Sequence, residues 1–234
     1  MRTWLTTLLA VIAVLTTAPA QAAQIFSDNF NSGTADALWG NNSGNWTAAG
    51  GSYQAQSPSN SPLTHTLLPF NLSDFILEVD VNNASDGGIW LRSDASRTGI
   101  LLVIGGLSHS GTGFYFHEVH NGGAGGILAP SAAGLFAQGD EIHIKVVVTG
   151  DDYQVFLGNA VTPATTLTNI AFASGLAGLY DFGCGQGGCP QSFDNFILSD
   201  PNRPQQVPLP AGVVLLLGGL GALAGLGRLR RRAR

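Results

Sequence analysis

Lysine is nearly missing from this sequence. Lys145 is the only one, and arginine away from the two ends is confined to Arg92, Arg97 and Arg203. Against fifteen Asp and Glu residues, those four cations leave the body of the chain near −11, although the whole sequence counts −5. So few scattered cations cannot neutralise a run of phosphates, which excludes nucleic acid as a partner and argues against an anionic membrane surface. Cysteine occurs twice, as Cys184 and Cys189. Two thiols without a histidine beside them are too few for a structural zinc site, and their spacing is not the C-x-x-C of a redox pair. With the glycine-rich Gly185-Gln186-Gly187-Gly188 between them, a disulfide is the favoured reading in an oxidising compartment. There is no G-x-S-x-G nucleophile elbow, and Gly122-Gly123-Ala124-Gly125-Gly126 lacks the lysine and helix of a phosphate-binding loop. No stretch between the ends keeps a 3.6-residue period, and no internal repeat is present.

Both ends, by contrast, are apolar. Arg2 precedes an uncharged run from Leu5 to Leu15, which closes in Ala18-Pro19-Ala20-Gln21-Ala22. A basic start, an apolar stretch too short to span a bilayer and small residues at alternate positions form the pattern of a secretory signal peptide. Residues 1–22 are expected to be that peptide, handed to the Sec translocon and cut after Ala22. At the far end, residues 211–227 are uncharged and almost wholly apolar, and Arg228, Arg230, Arg231, Arg232 and Arg234 follow. About 17 residues rising ~1.5 Å each cover roughly 25 Å, enough for a helix through a thin hydrocarbon core. The arginines mark its cytoplasmic side, so the body of the chain is expected outside the inner membrane. Gly221 and Gly225 have the G-x-x-x-G spacing of a close-packing helix face.

Val207-Pro208-Leu209-Pro210-Ala211, then the glycine-rich apolar segment, then the arginine tail resemble the PEP-CTERM class of sorting signals in its VPLPA variant. The resemblance implies recognition by an exosortase-type membrane protease and cleavage near the motif. It also implies a temporary inner-membrane anchor with the body in the periplasm, then delivery to the cell surface or an exopolysaccharide matrix. The plainer alternative is an ordinary anchor behind a Pro-rich linker, residues 201–210.

Between these ends, residues 23–200 are long enough for one domain with a real core, and they read as strands. Phe75, Leu77, Val79 and Val81 alternate with Ile76, Glu78 and Asp80; Ile142, Ile144, Val146 and Val148 repeat the pattern. Gly150-Asp151-Asp152 is a turn signal that makes 141–157 a hairpin. Further strands are expected at 52–56, 88–93, 99–104, 113–120, 175–180 and 192–199. Many short strands divided by Gly, Asn, Ser and Asp predict an all-β sandwich or jelly roll. Phe26-Ser27-Asp28-Asn29-Phe30, Trp39, Gly44-Asn45-Trp46 and Gly51-Ser52-Tyr53 resemble the opening of concanavalin A-like, LamG-type jelly rolls. The stretch from Asp86 to Ser93, Gly175–Tyr180 and Phe193-Asp194-Asn195-Phe196 continue the resemblance to the end of the domain. It implies two stacked antiparallel sheets, one curved into a shallow concave face.

Two kinds of site are then expected. Sugars stack on aromatic rings and hydrogen-bond to planar polar groups. With Ile89 and Leu91 directed into the core, Trp90 and Arg92 would face the concave surface, and Tyr115 and His117 would lie beside them as glycan-binding residues. The competing reading packs Trp90 under a loop and pairs Arg92 with an acid such as Glu78 or Asp80. The jelly-roll resemblance also implies a structural calcium tying the first and last strands through Asp28 and Asp194, with hard oxygen ligands. No catalytic residue is assigned. Glu78-Val79-Asp80-Val81-Asn82 resembles the E-x-D-x-E strand of jelly-roll retaining hydrolases, but Asn82 stands where the proton-donating carboxyl group should be, and an amide cannot serve. His117 and His120 fall on opposite faces of a strand, which is poor geometry for one metal. The sequence therefore predicts an exported glycan-binding protein; a purely structural matrix protein and a divergent glycan hydrolase are the alternatives.

Overall fold

The computed structural model describes residues 22–106, 112–182 and 191–204. The leader residues 1–21, Cys184 and Cys189, the Val207–Ala211 motif and the apolar segment 211–227 lie outside the described residues. No helix among the described residues is long and apolar enough to cross a membrane.

The strands, in chain order, are β1 (Ala22–Asp28), β2 (Trp46–Ala49), β3 (Ser52–Ala55), β4 (Thr66–Leu67), β5 (Phe75–Asn82), β6 (Asp86–Ser93) and β7 (Gly99–Gly105). After them come β8 (Phe114–His120), β9 (Gly123–Ala132), β10 (Ile142–Thr149), β11 (Asp152–Leu157), β12 (Thr165–Thr168), β13 (Leu176–Asp181) and β14 (Ser192–Pro204). They form two antiparallel sheets. One has eight strands, in the order β12-β11-β10-β5-β14-β3-β2 with β1 also on β14; the other has six, β4-β13-β6-β7-β8-β9. The chain touches the six-stranded sheet first at the short β4, returns to the other for β5, runs the meander β6–β9, goes back for β10–β12, crosses again for β13 and ends in β14.

The expected alternation sets the layers. Phe75, Leu77, Val79 and Val81 of β5 are fully buried, as are Ile144, Val146 and Val148 of β10, which pair with them across the ladder. Opposite them, Ile89, Leu91, Ile100, Leu102, Ile104, Phe114 and Phe116 supply the inner face of the six-stranded sheet, so one apolar core fills the space between sheets. Burial of this interleaved apolar area is the main stabilising term. The predicted hairpin is present as β10–β11, turning at Gly150 with φ +54°. At one end of the sandwich Phe30, Trp39, Trp46, Tyr53, Phe193 and Phe196 form an aromatic knot with ring centroids 4.9–6.1 Å apart.

Two boundaries bear on processing. Ala22 already belongs to β1 and pairs with Pro204, and β14 runs to Pro204, inside the stretch read as linker.

Candidate functional site

The site begins with the parity of β6. Ile89 and Leu91 enter the core, which leaves Asp86, Gly88 and Trp90 on the outer face of the six-stranded sheet. Directly opposed residues in antiparallel strands share a face, so the ladder registers place whole rows there. Tyr180 lies opposite Gly88, Gly88 opposite Val103, and Val103 opposite Tyr115. In the next row Gly178 opposes Trp90, Trp90 opposes Leu101, Leu101 opposes His117, and His117 opposes Ile127. Asp86 opposes Gly105 at the end of β6. Trp90, Tyr115 and His117 are therefore brought together on one face, as the alternation predicts.

Exposure is a different matter. Trp90 is fully buried: its indole N–H donates to the Thr64 carbonyl at 3.2 Å, and Leu63 and Leu67 pack over the same cluster. The loop reading of Trp90 is the correct one. Tyr115 is 5% exposed, its ring 5.3 Å edge-on from His117, whose Nδ1 lies 2.8 Å from the Gly125 carbonyl. Every tryptophan and tyrosine among the described residues is buried, so none offers a flat ring for stacking.

Arg92 is corrected outright. It does not share the face of Trp90. Its backbone takes φ +48°, and the β6–β13 register slips beside it. That bulge turns the side chain into the gap between the sheets, where the residue is 2% exposed. The guanidinium donates to the carbonyls of Ser73, Gly150 and Phe172, lies 3.3 Å from the Tyr153 hydroxyl and 3.8 Å from Asp74, and touches neither Glu78 nor Asp80. Hydrogen bonds from Gly150 and Asn202, with Arg92 adding to them, hold the Asp74 carboxyl below its ordinary range. Arg92 is a buried tie between sheets, not a ligand contact.

Sequence reasoning missed Asp86 and Tyr180. Both were accessible to it, because the period of two that places Trp90 also places residue 86, and Leu179 in the core places Tyr180 outside. Asp86 is partly buried, and desolvation pushes its carboxyl up to about 6. Tyr180 is 3% exposed; burial, then the nearby charge of Asp86, raises its hydroxyl well above the ordinary tyrosine value. Neither side chain has a hydrogen-bond partner among the described residues. Glycine makes room for Tyr115: a Cβ on Gly106 would strike its hydroxyl, while one on Gly88 would strike the Leu102 carbonyl of the neighbouring strand.

The calcium expectation does not fit the residues present. Asp28 opposes Phe196 and faces the core side, accepting hydrogen bonds from the Phe30 and Asp36 amides and from the Trp39 indole at 2.8–3.1 Å. Asp194 opposes Asp80 on the outer face of the same sheet, and its carboxylate accepts the Asn195 amide. The two carboxylates stand on opposite faces and cannot share an ion. No group of three or more His, Cys, Asp or Glu side chains among the described residues is gathered for a metal.

On that outer face of the eight-stranded sheet, Glu78 and Asp80 point outward from β5, as the alternation requires. His143 sits between them, with Nδ1 2.7 Å from Asp80 and Nε2 3.4 Å from Glu78, and the Asn195 amide donates to the other Asp80 oxygen at 2.8 Å. Asn82 continues the outward row. His117 and His120 are not joined either: His120 lies 3.0 Å from Glu118.

Neither a protein family nor a curated protein matches the sequence. The fold is similar to solved structures of one class. The carbohydrate-binding module CBM66 from Bacillus subtilis aligns with a TM-score of 0.57 and 20% identity, covering 70% of this chain and 96% of that one. The exoplasmic/lumenal domain of VIP36, solved in a Ca²⁺/Man3GlcNAc-bound form, aligns at 0.53 and 11% identity over 75% of this chain and 91% of its own. A xylan β-1,4-xylosidase from Bacillus halodurans C-125 aligns at 0.55 and 12% identity over 74% of this chain but 39% of its own. At these identities the likeness establishes the fold: a two-sheet all-β sandwich of the jelly-roll, lectin-like kind.

Proposed function

We propose that this chain is an exported surface or matrix protein whose sandwich binds a glycan at the outer face of the six-stranded sheet. The observation that carries the reading is the pair Asp86 and Tyr180, close enough for the carboxylate to act on the phenol and set beside the Tyr115–His117 strip. A carboxylate accepts sugar hydroxyls and a phenol both donates and accepts. Asp86 is half-buried and desolvated, so a ligand that brings hydroxyl donors to it relieves part of that cost. The carbohydrate-binding module, lectin and glycosidase folds similar to this one support the same class of ligand.

The leader residues and the VPLPA-type tail support export through the Sec translocon, a temporary membrane anchor and sorting by an exosortase-type protease. Hydrolysis is not part of the proposal, because Asn82 cannot protonate a leaving group and His143 already occupies Glu78 and Asp80. A structural matrix role without a small ligand is the second reading, favoured by the burial of every described Trp and Tyr.

Affinity electrophoresis through polysaccharide gels tests the binding. Asp86→Ala should weaken retardation about tenfold, the worth of one charge-assisted hydrogen bond of roughly 1.5 kcal/mol. Retardation of the wild type that this change leaves untouched removes Asp86 from the site.

A further inference from the structure

We infer that the ligand at this face is an uncharged, hydroxyl-rich sugar, and that acidic glycans bearing uronate or sulfate groups are rejected there. The inference rests on the glycan-binding reading and adds the charge class of the ligand. It comes from where the body's four cations stand: three are engaged elsewhere, and Arg97, whose Nε has no partner among the described residues, is remote from Asp86. Arg92 is turned inward and used up on three carbonyls and Tyr153. Lys145 lies over the Phe156 ring, 4.6 Å from its centroid, on the eight-stranded sheet. Arg203 is paired with Asp200 at 3.2 Å, at the end of β14 in that same sheet. Arg97 sits in the β6–β7 turn against Gly122, at the opposite end of β6 from Asp86. A strand of that length rises about 3.3 Å per residue, so Arg97 is roughly 25 Å away, beyond the screening length of physiological salt.

The described histidines of the face, His65 and His117, do not change this. Burial, then the charge of Arg97, push His65 down to about 4, so it stays neutral at physiological pH. His117 stands in the Trp90 row, two residues along the sheet from the Gly88 row and farther still from Asp86. An arriving carboxylate or sulfate would therefore meet the Asp86 carboxylate with no lysine or arginine of the described residues beside it, and like charges in a half-dry setting repel strongly. Neutral hydroxyls donate to the Asp86 carboxylate and pair with the Tyr180 hydroxyl without that penalty.

The test uses the full chain in mild detergent, at ~0.15 M salt, a physiological ionic strength. Gels carry neutral glucan, galactan, mannan or fructan, or else alginate, polygalacturonate or sulfated galactan. Wild type should be retarded by at least one neutral polymer and at least tenfold less by any acidic one. Asp86→Asn, checked for folding by its melting curve, should narrow that ratio, because the amide keeps the shape and removes the charge. Acidic polymers binding as well as neutral ones, or an unchanged ratio in Asp86→Asn, overturns the charge selection while leaving glycan binding in place. Retardation by none of the polymers removes the glycan-binding reading and this inference with it.

Discussion

Asp86 illustrates how one residue can cost stability at a proposed binding face. Desolvation raises its carboxyl to about 6 in the folded chain, above the ordinary 3.8. Between those two values the folded state holds a proton that the unfolded state has released. Stability therefore falls as pH rises through that window, and above about 6 the full penalty is in force. A shift of that size corresponds to about 2–3 kcal/mol, with solvent screening of this partly exposed group pulling toward the lower figure. Asp86→Asn keeps the outline and removes the charge. Urea unfolding should show the variant equal to wild type near pH 4 and about 2 kcal/mol more stable at pH 8. A difference that does not grow with pH would mean the carboxylate is already satisfied. At this scale the sequence was half legible. The period of two gave the face of Trp90, Tyr115 and His117 but not their exposure, because the cover over Trp90 comes from Leu63 and Thr64, distant in sequence. Arg92 was illegible for another reason: a bulge reverses parity, and nothing in Trp90-Leu91-Arg92-Ser93 announces a residue at φ +48°.

Among elements, β6 is the hinge of the architecture, since it pairs with β7 and β13 in its own sheet while Arg92 reaches the segments around Ser73, Gly150 and Phe172 beneath the other. Removing that guanidinium takes the side-chain donor from three carbonyls and the nearby positive charge from Asp74. Arg92→Ala should cost about 3–5 kcal/mol, the usual penalty for breaking a buried charged network from one side. Arg92→Lys should recover less than half, because an ammonium cannot span a forked set of acceptors. Equilibrium urea unfolding reads both; a loss under about 1 kcal/mol for the alanine variant would show the network to be ornamental. The strands legible beforehand were those with strict alternation or a glycine-bounded apolar run, namely β3, β5, β6, β7, β8, β10, β11, β13 and β14. β9 escaped because Gly123-Ala124-Gly125-Gly126 carries no side-chain pattern to read, and its pairing with β8 is irregular at two places. β4 and β12 are short, at two and four residues, and owe their existence to neighbours in the sheet rather than to propensity.

For the whole molecule, the proposed processing and the fold meet at the same two strands. β1 and β14 lie side by side, so the chain enters and leaves the sandwich at one place, with Ala22 opposite Pro204. A cut after Ala22 removes only that terminal pairing, since Ala23 opposes Asp200 and Phe26 is the first core residue of β1. A cut near Val207 falls past the last strand residue, Pro204. Both cuts of the proposed export route therefore fall outside the core described between Phe26 and Leu198, and the released body keeps those contacts. The expected outcome is that mature protein from a host with its exosortase begins at Ala23 and ends near the VPLPA motif by mass spectrometry. It should melt within about 2 °C of the uncut chain, since loss of one frayed pair is worth only a few tenths of a kcal/mol. A processed form that melts several degrees lower would place stabilising contacts in the removed segments. An uncut chain in both the presence and absence of the protease would end the sorting proposal while leaving the sandwich and its glycan face to be judged on their own.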